Sequence, residues 1–162
     1  MYEEQAFDPE RHDRAQIACG VSALDEFLHR YAAQQRKKGV STVFVLIDRA
    51  SPSEILGYYT LSAAQVDASE LLQAERKKLP RYPVPCFRMG RLACKSERRG
   101  EGLGRLLLGC AVQRCLLARE QVAAFALIVD AKDAQAKAFY LRYGFHACVD
   151  TPSALYLPLG RK

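Results

Sequence analysis

Arg91-Leu92-Ala93-Cys94, then Lys95-Ser96-Glu97-Arg98, then Arg99-Gly100-Glu101-Gly102-Leu103-Gly104 is the stretch whose reading decides the fold. Phe87 to Cys94 reads as a strand, Ser96 to Gly102 as a polar glycine-rich turn, and Leu103 to Arg119 as a strongly apolar helix. A strand that turns through glycines into a helix makes an anion cradle. Glycines let the backbone approach a phosphate closely and take positive φ. The free N–H groups of the helix's first turn point at the anion, and the helix dipole adds to the attraction. Arg98, Arg99 and Arg105 place full charges beside it. On the glycines alone, an ordinary tight strand–helix turn stays open as the alternative. A dinucleotide fingerprint fits poorly, because the glycines fall at Gly100, Gly102 and Gly104 rather than at Gly-x-Gly-x-x-Gly spacing. A Walker A loop is excluded, since no Gly-Lys-Ser/Thr follows.

Outward from this centre, Ser22 to Lys38 reads as an amphipathic helix capped by Ser22 and ended by Gly39. Thr42–Ile47 and Ile55–Val66 read as an antiparallel pair joined by Ala50-Ser51-Pro52-Ser53. A short helix with a basic end is expected over Ala68–Lys78, followed by an extended connection through Pro80, Pro83 and Pro85. After the apolar helix come a buried strand over Ala123–Val129 and a helix over Ala134–Tyr143 ended by Gly144. Short strands over Phe145–Val149 and Leu155–Leu157 close the order. The strand–helix–strand unit around the cradle calls for parallel strands, so a mixed α/β domain is expected.

The chain has 162 residues, 49% of them hydrophobic, and a net charge of +6. One domain over 1–162 with a real core is expected, since domains commonly run to ~100–150 residues. The longest apolar stretch, Leu103 to Ala118, is interrupted by Arg105, Gln113 and Arg114, and Glu3, Glu4, Asp8 and Glu10 leave no apolar leader. A cytoplasmic protein without a membrane segment is expected. The six cysteines form no Cys-x-x-Cys pair, and His12, His29 and His146 stand apart. Buried reduced thiols, structural or exposed histidines and no metal site are the expectation. The positive charge favours an anionic partner, which coenzyme A and nucleic acid both satisfy.

Arg99-x-x-Gly102-x-Gly104 resembles the pyrophosphate-binding signature of GNAT acetyltransferases. Ala136-x-x-Phe139-Tyr140-x-x-Tyr143-Gly144-Phe145 resembles the segment that ends their core. The resemblance implies a GNAT fold: α/β, with a mixed, mostly antiparallel sheet, a parallel splayed pair that binds acetyl-CoA, and flanking helices. It implies coenzyme contacts from Leu92, Ala93 and Cys94, from Arg99, Gly100, Gly102, Leu103, Gly104 and Arg105, and from Asp133. Many members carry Asn where Asp133 stands, and an ionised Asp cannot donate a hydrogen bond. Tyr140 takes the role of the acid that protonates the leaving thiolate, since a phenol with pKa ~10 keeps its proton at neutral pH. On helical spacing alone, Ala136, Phe139, Tyr140 and Tyr143 share a face, so a core role for Tyr140 stays open.

A narrower likeness runs through Phe7, Cys19-Gly20, Leu24-Asp25-Phe27-Leu28, Gly57 to Ser62, Leu79 to Pro85, Gly90 to Ala93 and Val129 to Asp133. Together these resemble the TacT/AtaT/ItaT group of GNAT toxins. That likeness implies acetylation of the α-amino group of aminoacyl-tRNA, inhibition of translation, a ribbon-helix-helix antitoxin as partner, and a homodimer. The basic residues Arg36, Lys37, Lys38, Arg76, Lys77, Lys78, Arg81 and Arg91 are the candidates for contacts with tRNA. Each cluster has an ordinary alternative as a solvated helix end. Tyr58, Tyr59 and Tyr82 could stack on the acceptor end or line the core. Two rival readings are an acetyltransferase for a small amine or protein N-terminus, and a non-catalytic regulator that binds coenzyme A or RNA.

Overall fold

Hydrophobic alternation and glycine placement settle most of the elements. The computed structural model describes residues 1–160, and the chain divides into two compact units: Met1–Ser62 with Gly90–Ala111, and Ala63–Met89 with the chain from Val112 onward.

The first unit holds β1 (Tyr2–Ala6), β2 (Thr42–Asp48), the start of β3 (Gly57–Val66) and β5 (Leu92–Cys94). β1 pairs antiparallel with β2, β2 with β3, and β3 with β5. Val43, Val45 and Ile47 alternate inward along β2 and meet Phe7, Phe27, Leu28, Tyr58 and Ala93 in one apolar cluster. β1 is a strand that the sequence did not announce. Its residues are exposed or half-buried, as suits a polar edge strand.

The amphipathic helix expected over Ser22–Lys38 is present but segmented: α1 (Ser22–Glu26), a π-turn (Phe27–Tyr31) and α2 (Ala32–Lys37). Phe27, Leu28 and Ala32 form its buried face. Ser22 does not cap it. Val21 occupies the cap position with no side-chain bond. Asp25 reaches back instead, and its Oδ1 accepts the Cys19 N–H at 3.0 Å.

The second unit holds β4 (Val84–Met89), β6 (Ala126–Asp130), β7 (His146–Ala147) and β8 (Ala154–Pro158), in the order β4-β6-β8-β7. β4 and β6 are parallel, whereas β6–β8 and β7–β8 are antiparallel. Ala126, Leu127, Ile128 and Val129 are all buried, the unbroken apolar run expected of a central parallel strand.

Three expected elements are corrected. Phe87–Cys94 is two strands, not one. The chain leaves β4 at Gly90 and Arg91: the parallel ladder of β4 with β6 ends at Met89, and Leu92–Cys94 form a separate antiparallel ladder with Gly57–Tyr59 of β3. Ala68–Lys78 is not one helix but a 3₁₀ turn (Ala68–Glu70) and a short α3 (Gln73–Arg76). Between them Leu71 is drawn fully into the core, and the Leu72 N–H donates to the Tyr156 hydroxyl at 2.8 Å. The strand expected over Phe145–Val149 shrinks to two residues: the Cys148 N–H still bonds Ala154 O in the same register, and the Val149 N–H then leaves the sheet for Glu70 O.

α4 (Leu103–Ala118) and α5 (Ala134–Arg142) match their expected ranges closely. Leu103, Leu107, Ala111 and Cys115 recur every four residues on the buried side of α4.

Candidate active site

The turn before α4 has the backbone geometry that an anion cradle requires. Gly100 and Gly102 take φ of +87° and +76°, a conformation that side chains rarely adopt. A Cβ at either position would meet nothing within 4 Å. The first main-chain N–H of α4 that is taken belongs to Leu106, which donates to Gly102 O at 3.1 Å. Among the described residues, the N–H groups of Gly102, Leu103, Gly104 and Arg105 make no hydrogen bond. Consecutive open donors at the start of a 16-residue helix favour an anionic ligand through directed hydrogen bonds and the helix dipole together. Space beside the glycines and unused N–H groups fit a coenzyme pyrophosphate.

The three arginines near the turn differ in use. Arg98 pairs with Glu101 at 3.0 Å. Arg99 lays its guanidinium on the Cys19–Gly20 turn, with Nη2 at 3.4 Å from Cys19 O and 2.8 Å from where a Cβ at Gly20 would sit. Arg105 is exposed and has no ion pair among the described residues, so its charge is available to a ligand.

β5 leads into this turn. Leu92, Ala93 and Cys94 pair with Tyr59, Tyr58 and Gly57, and in the strand order β5 has β3 as its partner. Gly57 is required for this pairing. A Cβ there would lie 2.7 Å from Ala93 O and 2.7 Å from Leu107 Cδ1.

In the second unit, Tyr140 lies near the C-terminal end of α5 and is 7% exposed. Its ring packs edge-on against Phe139 and tilted against Phe145, with centroids 5.3 Å away in each case. Tyr143 packs on Phe139 at 5.0 Å. These contacts fix the Tyr140 ring from two sides. Asp133 caps the same helix, and its Oδ1 accepts the Ala136 N–H at 2.7 Å. The structure thus gives Asp133 a capping function that spacing alone did not reveal.

The basic candidates sort by environment. Arg36, Lys37 and Lys38 are exposed at the end of α2, where Arg36 also donates to Phe7 O. Arg91 lies over the Phe27 ring at 3.6 Å, a cation–π contact. Arg76, Lys77, Lys78 and Arg81 are exposed on and after α3. Of the tyrosines considered for base stacking, Tyr58 and Tyr59 are fully buried, and only Tyr82, 65% exposed, presents its ring to solvent. The Tyr58 hydroxyl donates to Leu24 O at 2.5 Å, and burial pushes its phenol upward.

All six cysteines are free thiols, and burial pushes Cys86 up to about 11 and Cys115 up to about 12, which keeps both protonated. His12 is buried and bonded through both ring nitrogens, to the Asp8 N–H and Gln5 Oε1. His146 is exposed with its ring near Tyr156. Among the described residues, no helix is long and apolar enough to cross a membrane, and no group of three His, Cys, Asp or Glu could hold a metal ion.

Sequence reasoning missed Lys95. It is 7% exposed, and its ammonium lies 2.8 Å from Glu54 and 3.4 Å from Glu97. No local signal marks it, because its main partner lies in a distant turn.

Comparison with known proteins agrees with this geometry. The acetyltransferase (GNAT) domain family matches residues 39–147. A tRNA-acetylating toxin of Mycobacterium tuberculosis (strain ATCC 25618 / H37Rv) is 30% identical over 145 residues, covering 90% of this chain and 85% of the relative. Among solved structures, AtaT complexed with acetyl-methionyl-tRNAfMet superposes with a TM-score of 0.91 at 26% identity, covering 98% of this chain and 95% of that one. AtaTR bound with acetyl-CoA gives a TM-score of 0.84 at 27% identity, covering 98% and 94%. The chain is a GNAT acetyltransferase.

Proposed function

We propose that this enzyme transfers an acetyl group from acetyl-CoA to the α-amino group of aminoacyl-tRNA and thereby acts as a toxin that stops translation. The observation that carries the acceptor is similarity along 90% of the chain to a toxin that acetylates tRNA. Exposed basic residues at Arg36–Lys38 and at Arg76–Arg81 support it, since they suit a phosphate backbone. A ribbon-helix-helix antitoxin, a homodimer and a cytoplasmic location belong to the same reading and rest on the sequence resemblance.

When bound, acetyl-CoA supplies the acetyl group as a thioester. The open N–H groups of Gly102–Arg105 and the Arg105 guanidinium hold the pyrophosphate. The α-amino group of an aminoacyl ester is a weaker base than a free α-amino group of pKa ~7.7–8.0, so much of it is already neutral at pH 7 and no strong protein base is needed. Its proton leaves to water. Main-chain N–H groups of Leu92–Cys94 stabilise the oxyanion. Tyr140 gives its phenolic proton to the departing sulfur and recovers one from solvent.

The test is mass spectrometry of bulk charged tRNA after incubation with the enzyme and acetyl-CoA, alongside Tyr140→Phe. The phenylalanine keeps the ring contacts with Phe139 and Phe145 and loses the acid. Acetylated aminoacyl groups are expected with the wild type, and a rate ~10²–10⁴-fold lower with the variant, the usual share of a general acid. Unmodified charged tRNA, with acetyl-CoA consumed on a small amine or peptide instead, would remove the tRNA reading. Equal rates in the two proteins would remove the Tyr140 assignment.

A further inference from the structure

A buried lysine is unusual enough to need a reason, because its charge must be compensated inside the protein. Lys95 sits between β5 and the glycine turn. Its ammonium is held by Glu54 at 2.8 Å and Glu97 at 3.4 Å, and this pairing raises its pKa. Glu54 belongs to the turn between β2 and β3 and is bridged to the N-terminal segment at Asp13, whose N–H donates to Ser53 O at 2.8 Å.

The main chain around Lys95 is tied down at each step. The Lys95 N–H donates to Leu56 O at 2.8 Å, and the Ser96 N–H to Ala18 O at 2.8 Å. The Ser96 hydroxyl meets the same carbonyl at 3.0 Å. A 3₁₀ turn over Ser96–Arg98 follows, with the Arg98 N–H on Lys95 O, and Arg99 then reaches Cys19 O. Besides its own local bonds, the stretch between β5 and Gly100 is therefore tied to segments 18–19 and 54–56, and the Lys95–Glu54 pair is the only charged link among the described residues between the turn and the second of these. Beyond Arg99 these anchors end, and the cradle's own N–H groups are open.

We propose that Lys95 is a positioning residue for coenzyme binding: clamped between Glu54 and Glu97, it sets the Ser96–Arg98 turn so that the N–H groups of Gly102–Arg105 are aligned before the pyrophosphate arrives. Lys95 touches no ligand itself. It acts through the turn, and the inference rests on the reading of Gly102–Arg105 as the pyrophosphate cradle. A cradle ordered in advance costs less to occupy, since no backbone freedom is then lost on binding.

The test is calorimetric titration with coenzyme A, together with displacement titration by pantetheine, which lacks the pyrophosphate. Four variants are compared with the wild type: Lys95→Met, Lys95→Arg, Glu54→Gln and the cradle variant Gly102→Val. Lys95→Met is expected to weaken coenzyme A about tenfold, equivalent to ~1.4 kcal/mol, while pantetheine changes less than about twofold. Lys95→Arg, which keeps the ion pair, is expected to restore most of the affinity. Glu54→Gln removes the same pair from its more exposed end, keeps the lysine, and is expected to act in the same direction even where Lys95→Met fails to fold.

Coenzyme A affinity within twofold of the wild type in both Lys95→Met and Glu54→Gln overturns the proposal. Equal weakening of coenzyme A and pantetheine also overturns it, because that is the signature of general damage. If Gly102→Val leaves coenzyme A binding intact, the cradle reading fails instead. A loss with Gly102→Val but none with the lysine and glutamate variants refutes the positioning role alone.

Discussion

Replacing Asp133 with alanine removes the side chain that caps α5. Its Oδ1 accepts the Ala136 N–H at 2.7 Å, and the residue itself is extended at φ −160°, as an N-cap should be. α5 spans nine residues, so each bond at its start matters to the whole helix. Loss of a cap of this kind costs roughly 1 kcal/mol. Loss of the negative charge at the helix start adds ~0.3–1 kcal/mol. Asp133→Ala should therefore lower stability by ~1–2 kcal/mol. Asp133→Asn keeps the acceptor, loses only the charge, and should fall between alanine and wild type. Urea denaturation separates the three. With slopes of ~1–3 kcal/mol per M, the alanine midpoint should fall by roughly 0.3–2 M. Identical midpoints for alanine and wild type, or asparagine falling as far as alanine, would refute the capping argument.

Gly57→Ala should lower stability by ~1–3 kcal/mol by overpacking, because the new methyl lies 2.7 Å from both Ala93 O and Leu107 Cδ1; an unchanged melting temperature would show that β5 and α4 yield freely. His12 links stability to pH: Nδ1 accepts the Asp8 N–H at 3.0 Å while Nε2 meets Gln5 Oε1 at 2.9 Å, a pairing that suits the neutral ring. Burial, then Arg11, lowers its pKa below 6.5, so the unfolded chain takes up a proton first as pH falls. Stability present above about pH 6.5 is lost as pH drops through the lower folded value, and His12→Gln should flatten that slope in denaturation series from pH 7.5 to 5. The same slope in both proteins would exclude His12 as its source.

The glycine turn into α4 was legible because its requirements are local. Positive φ at Gly100 and Gly102 and open N–H groups at a helix start follow from a few adjacent residues. α4 was legible as a strongly apolar run after the glycine turn, and its buried residues Leu103, Leu107, Ala111 and Cys115 recur every four positions in the fold. β1 was hidden because Glu3, Glu4 and Gln5 carry little apolar signal and find their partner in Val45–Ile47 of β2. The break between β4 and β5 falls at Gly90 and Arg91, where the β4 ladder with β6 ends and β5 takes up its own ladder with β3; a single glycine inside the expected strand did not announce it. The interruption after Glu70 depends on the Tyr156 hydroxyl, and Lys95 depends on Glu54, 41 residues earlier. Side-chain chemistry that acts over such separations leaves no periodicity to read.

Charge placement shows the same division between what a sequence counts and what a fold uses. The sequence offers Arg98, Arg99 and Arg105 as equal contributors to an anion site. In the folded chain Arg98 is balanced by Glu101 and Arg99 binds the Cys19 carbonyl, which leaves Arg105 as the cation of the three with no such engagement among the described residues. On the proposed reading of the turn as a pyrophosphate site, fixed main-chain dipoles would then carry more of the attraction than charge. The turn itself is tied to the Cys19 turn, to Leu56 and to Glu54, none of which belongs to the glycine motif, so on that reading coenzyme recognition depends on residues outside that motif.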